Sequence, residues 1–163
     1  MEEGAPRRGV TPRAVAAQVC EALNGVGARY LVIGGIACIL HGHARATSDI
    51  DILIEKTEEN ARAVLAALSG LGYGFAQEWV AQQILARPIT VIGDDPAVDI
   101  LTAAIGMRYA SAVARSVVVV VDGVRIPVAS IDDLIASKRT GRLQDAADIE
   151  VLEEIKRLRS DQA

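Results

Sequence analysis

GGIACILHGHARATSDIDILI, residues 34–54, sets two unlike halves side by side. The first half is a glycine pair running into an apolar segment, IACILHGH, that reads as a short buried helix. The second half, DIDILI, alternates and reads as a strand. Acids are depleted in strands, yet Asp49 and Asp51 open this one. Side chains alternate along a strand, so the two aspartates share one face and Ile50, Ile52 and Ile54 share the other. The isoleucines anchor the strand in a core, and the acids stand at a surface or cleft.

Working outward, RYLVIGG is a short buried strand that ends in Gly34-Gly35. Before it, Thr11-Pro12 is an N-cap followed by proline at the first helical position. Val15, Val19 and Leu23 then recur at helical spacing up to Asn24-Gly25. After the central stretch, EENARAVLAALSGLG is an amphipathic helix with Ala61, Val64, Leu65 and Leu68 on its inner face. FAQEWVAQQILARPITVI reads as two strands with a turn near Arg87-Pro88. AVDIL is another strand and GMRYASAVAR a helix. SVVVVVDGVRIPV is a hairpin turning at Asp122-Gly123. Ser130 with Asp133 resembles a capping box opening the helix SIDDLIASKR. Gly141 ends it, and a last helix runs from about Arg142 to Arg159. Residues 1–10 read as a flexible tail and 11–160 as one α/β domain, a mixed twisted sheet flanked by helices.

The bulk composition bounds the function. The chain has 163 residues, 51% of them apolar and 23% charged, with a formal charge of -4. No chain-wide basic field exists to attract nucleic acid. Cys20 and Cys38 give neither a disulfide framework nor a metal spacing and read as small buried hydrophobes, in keeping with a reducing cytoplasm. The longest apolar run, LVIGGIACIL, is ten residues, too short to span a bilayer. MEEGAPRRGV carries no apolar signal core. A membrane is therefore not an expected partner.

Two carboxylates about 4 Å apart repel by about 4 kcal/mol at an effective dielectric of 20, so Asp49 and Asp51 call for a compensating cation. Oxygen donors suit Mg2+ or Mn2+. Asp99 in AVDIL is again flanked by apolar residues. If its strand lies beside the first, three carboxylates converge, an arrangement able to hold metals for phosphoryl displacement. The bland alternative is three solvated acids at strand ends. Asp-x-Asp also occurs in haloacid-dehalogenase-type phosphatases and in glycosyltransferases. There the acids follow their strand, whereas here they open it. Gly34 and Gly35 would let backbone approach a phosphate, although a plain tight turn explains them equally. Arg45 is either a phosphate cation or a strand-edge salt bridge. Lys138 extends the stripe Ile131, Leu134, Ile135, pointing into a cleft, snorkelling or pairing with Asp145 or Asp148. Asp145 and Asp148 read as a structural charge cluster, His41 and His43 as a poor metal pair, and Trp79 as packing or a base-stacking ring.

The glycine pair, thirteen residues, then Asp-Ile-Asp, with Arg45 and Thr47 before the acids and a later Val-Asp, resembles the nucleotidyltransferase superfamily headed by DNA polymerase beta. It is most similar to the small AbiEii-like branch of toxin and abortive-infection enzymes. IPVASIDDLIASKRTGRLQDAADIEVL is similar to that branch's C-terminal part. The resemblance implies metal binding by Asp49, Asp51 and Asp99, with Asp99 also deprotonating an acceptor hydroxyl. It implies triphosphate packing on Gly34 and Gly35 and a phosphate reach for Lys138. Many active members carry serine where Gly35 stands, so one phosphate contact is missing or comes from backbone. The expected function is nucleotidyl transfer from a nucleoside triphosphate to a hydroxyl on an RNA end, a protein or a small molecule. The alternative is a non-catalytic nucleotide- or partner-protein-binding member.

Overall fold

The computed structural model describes residues 11–93 and 96–162. The expected tail, 1–10, lies outside the described residues. Helix α1 (Pro12–Gly25) is capped by the Thr11 hydroxyl, which accepts from the Ala14 N–H. Strand β1 (Tyr30–Ile33) is buried along its whole length and runs directly into α2 (Gly34–Leu40). A loop then leads to β2 (Ile50–Ile54), followed by α3 (Glu58–Gly70).

The next segment departs from expectation. Two strands are predicted over 75–92, but a 3-10 turn (Gly74–Glu78), a short helix α4 (Ala81–Leu85) and only one strand, β3 (Ile89–Ile92), form there. The cause is local. Ala81 and Ile84 are buried at a spacing of three, and the Gln83 side chain accepts from the Val80 N–H, closing a helical turn that strand alternation cannot match. Strand β4 (Val98–Leu101) follows, then α5 (Tyr109–Ala112), shorter than predicted, with a 3-10 turn over Val113–Arg115. The hairpin of β5 (Val117–Val121) and β6 (Val124–Val128) turns at Asp122-Gly123, both at positive φ, as a tight two-residue hairpin loop requires. Ser130 caps α6 (Ile131–Ser137) by accepting from the Asp133 N–H. The Asp133 carboxylate does not reach back; it pairs with Arg115. Gly141, at φ 84°, separates α6 from α7 (Leu143–Asp161).

The six strands order β3-β4-β2-β1-β6-β5. The pairs β2/β4 and β1/β6 are parallel and the others antiparallel. Helix α1 packs on β6 and α3, α3 on α4, α2 on β2 and α6, and α6 on α7. Ile50, Ile52, Ile54, Val98 and Ile100 are all buried on one face, so the acids that alternate with them lie on the opposite face. Among the described residues no helix is long and apolar enough to cross a membrane.

Candidate active site

Strands β2 and β4 are adjacent and in register, with Asp51 opposite Asp99. The two carboxyl groups hydrogen-bond one another. Burial, that hydrogen bond, the charge of Asp99 and the charge of Asp49 together push the Asp51 carboxyl up to about 7, against a smaller downward pull from Lys138. Asp51 is therefore the carboxyl of this site whose charge the fold leaves least compensated. Asp49 stands one residue before β2, exposed, with the Ser48 hydroxyl donating to it at 3.2 Å.

The glycines make room for the protein's own side chains. Gly34 has φ 69°, and a Cβ there would lie 2.0 Å from Asp51 Oδ2. A Cβ at Gly35 would lie 3.0 Å from Thr47 Oγ1. The turn into α2 is thus shaped so that Asp51 and Thr47 can lie directly against the backbone.

The cations assigned from sequence are engaged elsewhere. Asp148 on α7 is fully buried and accepts from Lys138 Nζ at 2.7 Å, Arg45 Nη1 at 2.6 Å and Gln144 Nε2 at 3.0 Å. His43 Nε2 lies 3.1 Å from Oδ1, the oxygen that Gln144 also meets, whereas Lys138 and Arg45 meet Oδ2. Burial opposes the charge on Asp148, but the Lys138 bond and charge, the Gln144 amide and Arg45 together hold its carboxyl below the usual range. Asp145 adds a second partner to Lys138 at 3.6 Å and also accepts from Arg142 and Thr140. This cluster ties α6, α7 and the α2–β2 loop together. Sequence reasoning identified the Lys138–Asp148 pairing among its alternatives. It did not foresee that Arg45 and His43, over a hundred positions away, join the same carboxylate. His41 is likewise structural, facing the Ala129 carbonyl at 2.8 Å. Trp79 packs against the core with Arg87 over its ring at 4.9 Å.

A pocket of about 500 Å³ is lined by Ile33 and by Gly34, the glycine against which Asp51 lies, but by none of Asp49, Asp51 and Asp99 themselves. Pro88, Ile89, Leu101, Ala103, Ala104 and Ile105 form an apolar wall, and Ser137, Lys138, Thr140, Arg142 and Asp145 a polar one. Leu101 alternates with Ile100 and so shares the face of Asp99. Its volume is in the range of small-molecule sites. Among the described residues no three acidic, histidine or cysteine side chains form a ready-made metal cage. Magnesium is commonly held by one or two carboxylates plus substrate phosphates, and the in-register pair Asp51 and Asp99 fits that requirement.

The fold and family are matched elsewhere. An antigenic nucleotidyltransferase-like protein from Paracoccidioides brasiliensis superposes with a TM-score of 0.58 at 15% identity, over 94% of this chain and 79% of that one. A candidate nucleotidyltransferase from Thermotoga maritima superposes with a TM-score of 0.50 at 18% identity, over 90% and 89%. At such identities the likeness is one of fold. Among curated proteins, none matches this chain in sequence. The aminoglycoside-2''-adenylyltransferase family model matches residues 15–152. With that span and the nucleotidyltransferase-like fold, the chain belongs to the aminoglycoside-2''-adenylyltransferase family of the nucleotidyltransferase superfamily.

Proposed function

We propose that this protein transfers a nucleotidyl group from a nucleoside triphosphate to a hydroxyl of a small molecule. The observation that carries this reading is the in-register pairing of Asp51 with Asp99 on adjacent parallel strands, with Asp49 beside them. Asp51 and Asp99, with Asp49 nearby and the substrate phosphates completing the set, would hold a divalent cation, Mg2+ or Mn2+, which supplies charge neutralisation to the phosphates. Asp99, opposite Asp51 on the neighbouring strand, would accept the proton of an attacking hydroxyl. Gly34 keeps the Asp51 carboxylate against the backbone and so fixes its direction. The family's name points to an aminoglycoside as the first acceptor to try. The chain's charge of -4 favours a cationic acceptor over RNA, which argues against an abortive-infection role acting on RNA ends.

The test is transfer of label from each nucleoside triphosphate, with Mg2+ or Mn2+, to an aminoglycoside panel, to RNA and to cell extract. Transfer to small hydroxyl acceptors, lost in Asp49→Asn and Asp51→Asn, is the expected result. Labelling of RNA or of a protein alone would reassign the acceptor, and full transfer by both variants would refute the site.

One observation favours a second, non-catalytic reading. Arg45 and Lys138 are both bound by Asp148, which keeps the expected phosphate cations occupied. A nucleotide-binding member without transfer would still gain about 2.7 kcal/mol of stability from ligand at 100 times its Kd while labelling nothing.

A further inference from the structure

Thr47 has no part in the chemistry above, yet its position is specific. It leaves the α2–β2 loop and lies across Gly35. A Cβ at Gly35 would meet Thr47 Oγ1 at 3.0 Å, its Cβ at 3.1 Å and its Cγ2 at 3.4 Å. The threonine side chain thus occupies the volume that any side chain at position 35 would need. Filling that volume requires only the size of valine, so the hydroxyl is left over. Thr11 and Thr57 cap helices, Thr102 donates to the Arg87 carbonyl and Thr140 pairs with Asp145, while the Thr90 hydroxyl, also without a partner, is buried within β3 away from the acids. Among the described residues, the half-buried Thr47 hydroxyl has no hydrogen-bond partner.

Its neighbours decide what it would bind. Asp51 lies against Gly34 next door, and Asp49 is two residues along the chain. An anion could approach these acids only with its charge compensated, as a metal-bound phosphate is. The topology then fixes which phosphate. Strand β2 lies between β4, which carries Asp99, and β1, which runs into Gly34-Gly35. The proton acceptor Asp99 is therefore on one side of Asp51, and Gly35 with Thr47 on the other. In-line displacement places the attacking and leaving oxygens on opposite sides of the reacting phosphorus.

We propose that Thr47 is a substrate-binding residue whose hydroxyl donates to the leaving pyrophosphate end of the nucleotide. The inference rests on the transfer reading above. In the step, the acceptor oxygen bonds to the α-phosphorus and its proton passes to Asp99. The bridging bond between the α-phosphorus and the β-phosphate oxygen breaks, and its electron pair leaves with the pyrophosphate. Thr47 O–H faces the charge that builds there.

The experiment compares wild type with Thr47→Val, which keeps the volume and removes the hydroxyl, and Thr47→Ser, which keeps the hydroxyl. Titration calorimetry with Mg2+ and, separately, nucleoside triphosphate, pyrophosphate and nucleoside monophosphate reads binding; the labelled transfer assay reads turnover. Hydrogen bonds to charged groups imply about a tenfold or greater loss for triphosphate, pyrophosphate and kcat/KM in Thr47→Val. Monophosphate binding should stay unchanged, and Thr47→Ser should remain close to wild type. A merely structural role would weaken all three ligands alike. Thr47→Ala replaces the valine variant if that one does not fold. Wild-type binding with an unaffected Thr47→Val overturns the role of Thr47 alone. A wild type that binds no triphosphate overturns the transfer reading, and this inference with it.

Discussion

Replacing Asp51 by Asn should stabilise the fold above pH 7 and leave it unchanged in acid. Burial of Asp51, reinforced by Asp99 against it and by the charge of Asp49, raises its carboxyl from 3.8 to about 7. The folded pKa stands above the unfolded one. The stability linked to this group is therefore fully present below about pH 4 and lost as pH rises towards 7. A tenfold change in proton affinity corresponds to 1.36 kcal/mol, so a rise from 3.8 to about 7 sets an upper bound of about 4 kcal/mol. Relaxation around the charge lowers this, and a gain of about 2–4 kcal/mol at pH 8 is expected. For a chain of this size that is roughly 4–16 °C in Tm. Asparagine keeps the shape and still offers a hydrogen bond to Asp99. The assay is urea unfolding of both proteins from pH 4 to 9, without divalent cations. The difference should be near zero at pH 4 and reach a plateau above pH 7. A variant no more stable than wild type at pH 8, or a difference that does not change with pH, would refute the claim that Asp51 carries an uncompensated charge.

Asp148→Asn should cost about 3 kcal/mol, because the buried Lys138 ammonium loses its closest counter-ion; a loss under about 1 kcal/mol in urea unfolding would show that Asp145 suffices. Asp148's lowered pKa adds stability that is present above about pH 4 and lost as pH falls further, so the same variant should flatten the acid limb of the stability profile. Gly34→Ala should cost at least about 2 kcal/mol, since alanine is strained at φ 69° and its Cβ would lie 2.0 Å from Asp51 Oδ2. Much of that cost should vanish in an Asp51→Ala background, and a double-mutant cycle with no coupling would separate the two residues.

The local pattern was legible where chemistry and period agreed. Asp49, Ile50, Asp51 and Ile52 announced a strand with isoleucines on one face and acids on the other; in β2 the isoleucines are buried together, Asp51 stands opposite them beside buried Leu53, and Asp49 lies just before the strand. Thr11-Pro12, Asp122-Gly123 and Ser130 marked their cap and turn correctly because each acts through bonds within a few residues. The 75–92 segment was misread because its apolar residues fit either period, and a single Gln83 side chain tipped it to a helical turn. Gly35 shows a subtler limit. Sequence allowed backbone contact with phosphate as its purpose, whereas the space above it is filled by Thr47 from twelve positions further on.

Sequence alone determined which residues carry charge, which face of β2 they share, and that an apolar sheet would hold them, since these follow from side-chain alternation and burial. Only tertiary structure decided that Asp99 meets Asp51 in register and that Arg45 and Lys138 both turn to Asp148. Those outcomes depend on strand order and helix packing between segments far apart in the chain, where the balance between desolvation and pairing is set by neighbours that local periodicity does not specify.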